Sequence, residues 1–359
     1  MQSMKKRSNI PFCLLAALWL LVGLPACAAG GGEAGEVDPK EIIFGHIEDE
    51  YEWHITTWGV THISIPLPVI LYSQASGWHL FSSSRFHHGK DSYNGFYIAG
   101  EESAWPGKIV ERDARGKEVR PVDLSITKIA LSIMINSMLL VFLILYVSRW
   151  YRRHNQKEEA PKGLVGLMEM FIMMIVDDVI KPCIGHTYQK FTPYLLTAFF
   201  FIFLNNLMGL VPFFPGGANV TGNIAVTLVL ALCTFIAINL YGTKGYWKEI
   251  FWPDVPWWMK APVPMIPFIE FFGIFTKPFA LMVRLFANIL AGHMIILVLG
   301  SLIFITVSMG PAINAPMTFA SVLFSIFMNL LELLVAFIQA YVFTLLSAVF
   351  IGMAQAEHH

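Results

Sequence analysis

Five ionisable side chains stand inside apolar stretches that are long enough to cross a membrane. They are Glu270, Lys277, Arg284, His293 and Glu332. A charge at the centre of a bilayer costs about 2.5 to 3.5 kcal/mol on insertion scales, so such residues persist where they line a water path or meet a partner charge. Side chains near a helix end can instead extend to the membrane surface, which would explain Glu270 and Lys277. Arg284 lies near the middle of its stretch, so we interpret it as functional.

Helical geometry places several of these residues on one face with Arg284. At 100° per residue, Glu270, Lys277, Asn288 and Ala291 fall within about 40° of Arg284. Small residues lie beside them, namely Gly273, Ala280 and Ala287. Because small side chains allow another helix to approach closely, this arginine face predicts a close neighbour for Arg284.

His293 points to the opposite side of the same helix. On the last apolar stretch, a second stripe is predicted, consisting of Ser325, Asn329, Glu332, Ala336, Gln339 and Phe343. His293 lies roughly 13 Å along its helix from Arg284, and Glu332 lies roughly 10 Å from Gln339. If Gln339 is level with Arg284, the antiparallel helices bring His293 and Glu332 to a similar depth.

A histidine changes charge near neutral pH, so a pair of His293 with Glu332 could relay protons. The structural alternative is a core histidine with its hydrogen bonds satisfied. The whole layout has polar groups on one side of Arg284 and a carboxylate and a lysine on the other. It predicts two half-paths separated by one fixed positive charge.

The elements that carry these residues are membrane helices. The chain has 359 residues, of which 56% are hydrophobic and only 14% charged. Its mean hydropathy is +0.60. The apolar stretches are continuous rather than alternating, so we expect helices and not a barrel. Five stretches are long enough to span, at 129–147, 191–213, 224–242, 265–307 and 317–354.

The last two stretches are longer than a bilayer requires. Residues 265–307 would form a helix of roughly 64 Å, whereas a hydrocarbon core is about 30 Å thick. Each is therefore a hairpin of two spans or a single, strongly tilted helix; within 265–307, Ala291-Gly292 offers only a weak turn signal. Two overlong, tilted helices suggest packing against something curved.

The region before the first span has a different composition. Residues 1–29 contain a basic start and a short apolar segment, which predict a signal peptide. The sequence leaves three alternatives for this segment: cleavage near 26–29, lipidation at Cys27 or retention as an anchor. Residues 30–123 are polar, with strand-like pieces and turn signals, and predict a small β-containing extracytoplasmic segment. The membrane domain would then occupy 124–359.

Basic residues between the spans set the expected topology. Lys and Arg follow the first span and occupy the loop 241–264, whereas the loops 213–222 and 308–316 carry none. By the positive-inside rule, we expect the chain to cross the membrane five times, with an extracytoplasmic N-terminal segment and a cytoplasmic C-terminus. Residues 164–186 mix apolar residues with Asp177 and Asp178, which predicts an amphipathic helix on the inner surface or against other spans.

Several of these motifs resemble the subunit a family of F-type rotary ATP synthases. The stretch KPFALMVRLFANILAGH at 277–293 resembles the family's arginine helix, of pattern KPxxLxxRLFxNxxAGx. The segments FLNNLMGLVP at 203–212, FIQAYVF at 337–343 and MAQAEH at 353–358 resemble three further family segments. The resemblance covers about residues 120–359, and its arginine motif is highly specific.

The resemblance implies a stator that faces a rotating ring of c subunits. Arg284 would meet each ring carboxylate and block a direct leak between two half-channels. Asn288, His293, Glu332 and Gln339 would line the outer half-channel, and Glu270 and Lys277 the inner one. The implied partners are the c-subunit ring, the b-subunit peripheral stalk and the lipid bilayer, without nucleic acid.

Three departures from the family pattern affect the outer path. His293 and Glu332 stand exchanged relative to many bacterial members, an arrangement that resembles mitochondrial ones. Gly209 occupies a position that is often aspartate, and Asn223 and Ala225 replace an acid and an amide. The polarity that those two helices would contribute to the outer path is therefore in question.

Two other classes of function compete with the stator interpretation. An independent ion-coupled transporter or channel would show internal repeats, and a non-transporting scaffold protein would pair Arg284 with an acid of the same chain. The sequence has no nucleotide-binding loop or catalytic constellation, so we expect a non-catalytic subunit without a cofactor or metal. Six histidines between His46 and His88 fit no metal-ligand spacing.

Overall fold

The computed structural model describes most of the chain after the predicted signal peptide. The described residues are 49–58, 61–87, 89, 91–100, 102–113, 116–154, 160–211, 214–252, 265–307 and 309–355. The predicted signal peptide, Cys27 and the last four residues lie outside these ranges. The described residues fall into two compact units, one within 49–132, 211–218 and 298–326, the other within 133–210, 219–297 and 327–355.

The N-terminal part forms small antiparallel sheets, as the strand-like pieces predicted. Its strands are β1 (Glu52–Trp58), β2 (Thr61–Pro66), β3 (Pro68–Ser73), β4 (Gly77–Ser82), β5 (Phe96–Ile98), β6 (Ile109–Arg112), β7 (Glu118–Val119) and β8 (Val122–Asp123). β1 pairs with β2, β3 lies between β4 and β8, and β6 lies between β5 and β7. The predicted turn at Asn94-Gly95 is present, and both residues have positive φ angles, 53° and 83°, which these residue types tolerate.

A compact apolar core holds these sheets together. Its fully buried members are Tyr51, Val69, Leu71, Phe86, Phe96 and Ile109. The Tyr51 hydroxyl donates a hydrogen bond to the Asp123 carboxylate. Burial and, secondly, this bond raise the pKa of Tyr51 well above its ordinary value, since both disfavour the phenolate.

The rest of the chain is helical. The helices are α1 (Lys128–Arg153), α2 (Leu164–Met174), α3 (Lys181–Ile184), α4 (Tyr188–Gly209), α5 (Ile224–Leu240), α6 (Lys244–Phe251), α7 (Met265–Val307) and α8 (Pro311–Gln355). Among the described residues, α1, α7 and α8 are long and apolar enough to cross a membrane, and α5 with α6, bent by 100°, would make a fourth span. α4, which covers most of the expected span at 191–213, is not among these helices.

α7 and α8 resolve the question that their lengths raised. Each is one helix, of 43 and 45 residues, so the hairpin alternative is wrong. α7 continues through Pro278, which is buried, and through Ala291-Gly292, where the weak turn signal lay. A helix keeps nearly all its backbone hydrogen bonds satisfied without solvent, whereas a hairpin loop at that depth would expose polar groups.

The predicted amphipathic helix at 164–186 has an irregular centre. A π-helical turn at Ile175–Ile180 separates α2 from α3. Ile175, Val179 and Ile180 are fully buried in the main helical core, so this segment packs against other helices. Asp178 is exposed, and Asp177 forms an ion pair with Lys181 one turn later.

Candidate functional site

One side of α7 is fixed in the helical core. Leu281, Leu285 and Ile289 recur every four residues and retain at most 4% of their surface exposed. Their burial sets the rotation of the helix, because an apolar stripe at this spacing must face the interior of the bundle. Arg284 and Asn288 are consequently turned outward.

The arginine face is open in this chain. Arg284, Asn288, Ala280, Ala287 and Ala291 are all exposed, and a Cβ atom placed on Gly273 would meet no atom within 4 Å. Arg284 makes no hydrogen bond or ion pair with any residue that the structure describes. The expected small-residue face is therefore present, and it bears a cation without a counter-charge among the described residues.

Glu270 and Lys277 lie at the N-terminal part of the same helix. Glu270 is exposed. Lys277 is half-buried, with its Nζ 5.8 Å from the centre of the Phe350 ring. The structure does not join Glu270 and Lys277 in an ion pair.

His293 and Glu332 form the contact that the depth comparison predicted. His293 Nδ1 is hydrogen-bonded to Glu332 Oε1. The Glu332 side chain is only 3% exposed, whereas that of His293 is 20% exposed. Glu332 Oε2 is buried without a hydrogen-bond partner in the described structure. The pair thus has a partly exposed imidazole at one end, a buried carboxylate at the other and a hydrogen bond between them.

Gly292 lies directly against this pair. A Cβ atom at Gly292 would be in van der Waals contact with Glu332, 3.4 Å from Oε1 and 3.6 Å from Cγ. A side chain that extends beyond Cβ would crowd the carboxylate. Most of the predicted stripe on α8 is also buried: Ser325, Glu332, Ala336, Gln339 and Phe343 are at most 7% exposed, whereas Asn329 is half-buried.

Buried amides near this pair were not assigned a role from the sequence. Asn206 Nδ2 donates to the backbone oxygen of Ala336, one turn after Glu332. Thr221 Oγ1 donates to Asn206 Oδ1, and Asn136 Nδ2 donates to Asn205 Oδ1. The available signal was the occurrence of Asn136, Asn205 and Asn206 inside apolar stretches.

Asn223 has a local structural task. It is the N-cap of α5, and its side chain accepts a hydrogen bond from the Ala225 backbone N–H. An asparagine at a helix N-cap satisfies a backbone donor that the helix leaves free. An acid at this position, as in the subunit a pattern, would cap the helix equally well.

Comparison with known proteins decides the family. The family model described as "ATP synthase A chain" matches residues 133–352, which contain α7, nearly all of α8 and all the site residues above. The chain belongs to the ATP synthase A chain family. Apart from the first residues of α1 and the last residues of α8, the described helices fall inside the matched range.

Curated relatives agree with this assignment. A protein named ATP synthase subunit a from Chloroherpeton thalassium is 45% identical over 249 residues, which cover 67% of this chain and 69% of the relative. ATP synthase subunit a 2 from Chlorobaculum tepidum is 46% identical over 67% of this chain and 66% of the relative. ATP synthase subunit a from Myxococcus xanthus is 41% identical over 66% and 75%, respectively.

The N-terminal sheets match a second family model. Residues 42–125 match a model described as a domain of unknown function, DUF8433. This range ends three residues before α1 begins. It nearly coincides with the segment 30–123 that composition had separated from the membrane domain.

Proposed function

We propose that this member of the ATP synthase A chain family is the proton-carrying stator subunit of the membrane sector of a rotary ATP synthase. The observation that carries the proposal is Arg284, a cation exposed on a small-residue face of an apolar helix. A charge in lipid is costly, so this face calls for an anionic partner in a neighbouring subunit. Carboxylates of a rotating c-subunit ring would supply it.

Arg284 would act on each ring carboxylate as it passes. A cation close to a carboxyl group favours its ionised form, so the carboxyl group releases its proton on approach. The small side chains of Ala280, Ala287 and Ala291 would allow the ring helix to come near. The same fixed charge repels protons, which prevents a direct leak between the two sides.

The outer half-channel would run past His293 and Glu332. The exposed edge of His293 can accept a proton, and the Nδ1–Oε1 hydrogen bond links that ring to the buried carboxylate. Asn288 and Gln339 would line the path toward the ring, and Asn206 with Thr221 would add buried polar groups near Ala336.

The inner half-channel would run past Glu270 and Lys277. Both stand on the arginine face, toward the N-terminal end of α7, on the other side of Arg284 from His293. An exposed carboxylate there can receive protons that leave the ring and deliver them to water. The inner and outer half-channels would meet α7 at different points along its length. Protons would therefore have to travel with the ring from one half-channel to the other.

The proposed topology has five spans, formed by α1, α4, α5, α7 and α8, with α7 and α8 tilted around the ring. Residues 1–29 would be a signal peptide, 30–123 a periplasmic segment and 124–359 the membrane domain. The C-terminus would lie in the cytoplasm beneath a bacterial inner membrane. The c-subunit ring, the b-subunit peripheral stalk and lipid would be the partners.

Neither alternative function is favoured by the site. A scaffold protein would pair Arg284 with an acid of its own chain, but the deep acid, Glu332, is bonded to His293. An independent transporter would need both walls of its ion path within one chain. The arginine face is open in this chain, so the opposite side of the ion path would have to be formed by another molecule.

A cross-linking experiment tests the arrangement. In the assembled membrane sector, with the native cysteines replaced by serine, Ala291→Cys should cross-link to a cysteine beside the ring carboxylate through a short thiol reagent. Ile289→Cys is the matched control, since Ile289 is 4% exposed and faces the helical core. The proposal fails if Ala291→Cys gives no ring product or if Ile289→Cys gives as much.

A further inference from the structure

The three-stranded sheet β4-β3-β8 has two apolar faces. Val69 and Leu71 point into the small core. The opposite face, here called the outer sheet face, consists of Ile70, Tyr72, Trp78, Leu80, Val122 and Leu124. The pairings Ile70 with Leu80, and Tyr72 with both Trp78 and Val122, place these residues side by side.

The outer sheet face is strongly exposed. Leu80 is 75% exposed, Trp78 65%, Leu124 57% and Val122 56%. An antiparallel sheet that covers a core with one face usually carries polar residues on the other. A contiguous apolar patch on a folded surface marks a binding site for a protein, a ligand or a membrane.

The hydrogen bonds beside β8 tie this face to the first membrane span. Leu124 N donates to Ile70 O, and Ile126 N donates to Pro68 O, so the pairing with β3 continues beyond β8. Lys128, the first residue of α1, donates its backbone N–H to Glu50 O. The sheets and the start of α1 belong to one compact unit.

The short connection limits how far the face can be from lipid. Leu124 is four residues from the start of α1, and an extended chain covers at most about 3.6 Å per residue. Leu124 therefore lies within about 14 Å of the start of the span, and its sheet neighbours Ile70 and Leu80 lie at most about 5 and 10 Å farther away. The polar zone of a bilayer extends roughly 5 to 8 Å beyond each side of its hydrocarbon core.

The aromatic residues of the face fit the membrane–water boundary, and the short connection to α1 favours lipid over a second protein. The rings of Tyr72 and Trp78 pack with centroids 5.1 Å apart. Tryptophan and tyrosine are enriched at the membrane–water boundary, where an apolar ring with one polar group is well solvated. We propose that the outer sheet face lies on the lipid headgroup region beside α1, so that the DUF8433-type domain is a membrane-surface domain.

Lipid quenching of a single fluorophore tests this proposal. The full-length chain, with its native cysteines replaced by serine, carries Leu80→Cys labelled with an environment-sensitive dye. It is reconstituted into phosphatidylcholine vesicles with or without bromine near the headgroup. We expect brominated lipid to lower the dye emission relative to unbrominated lipid, because a group held at the interface lies among the headgroups. Glu102→Cys, an exposed position on another part of the domain, should be unaffected.

Two outcomes would overturn the proposal. Emission typical of water without quenching would show that the face is open to solvent. A blue-shifted emission without quenching would show that protein, such as a second copy of the chain, covers the face. Val122→Cys, labelled in the same way, repeats the measurement on another strand if Leu80→Cys does not fold.

Discussion

Arg284 and His293 lie nine positions apart on opposite sides of α7, and their surroundings are opposite too. Arg284 is exposed and has no counter-charge among the described residues, whereas His293 is bonded to a buried carboxylate of the same chain. The His293 side is complete within one chain. The Arg284 side requires a second molecule, and this difference separates the ring-facing side of the helix from its proton-supplying side.

The largest effect is expected from Arg284→Ala in the assembled complex. Removing the cation takes away the charge that ionises each ring carboxylate, so ATP-driven proton pumping should fall by on the order of a hundredfold or more. Acidification of vesicles measures the loss. Val283→Ala, a change at the adjacent exposed position, should pump normally. Intact pumping by Arg284→Ala would end the stator interpretation.

A smaller effect is expected from Glu332→Gln. The change removes one charge-assisted hydrogen bond, of about 1.5 to 3 kcal/mol, and each 1.4 kcal/mol corresponds to about tenfold in rate. At the lower end of this range, pumping should weaken roughly tenfold, and its dependence on pH should change because the pair loses one ionisable group. Exchanging the pair, as His293→Glu with Glu332→His, should restore much of the activity. An unchanged pH profile in Glu332→Gln would exclude the relay.

The smallest effect should come from two glycines on α7. Gly292→Val pushes against Glu332, because even a Cβ would lie 3.4 Å from Oε1. It should reduce pumping a few-fold, at about 0.5 to 1 kcal/mol, and mimic the pH shift of Glu332→Gln. Gly273→Val meets open space in the isolated chain. It should leave the pH profile unchanged and weaken only the association with the ring, measured by co-purification. Identical behaviour of the two variants would contradict the proposed division of the helix.

Spacing along a helix was enough to predict the main elements of the site. The periodicity of residues around Arg284 indicated an outward face, and the depth comparison indicated the contact between His293 and Glu332. Both predictions depend on rise and rotation per residue, which hardly vary between helices. The proton-transfer roles of these residues stay predictions.

Sequence reasoning was weaker for features that depend on how distant parts of the chain pack together. The length of 265–307 allowed a hairpin or one helix, and the absence of strong turn residues could not choose between them. The π-helical turn at Ile175–Ile180 has no sequence signature, because it follows from fitting Ile175, Val179 and Ile180 into a common core. The bond from Asn206 to Ala336 joins residues 130 positions apart, and local patterns carry no information on such contacts.

The continuity of α7 also has a mechanical meaning. A passing ring would exert a sideways force on Arg284. Because α7 is unbroken, it would transmit this force along its whole length. Pro278 lies six residues before Arg284. Proline has no backbone N–H, so the helix lacks one of its backbone hydrogen bonds there. The helix should therefore bend more easily between Glu270 and Arg284 than between Arg284 and His293. Under this force, the Arg284 guanidinium would move relative to Glu270 in the proposed inner half-channel. Its distance from His293 and Glu332 in the proposed outer half-channel would stay nearly constant.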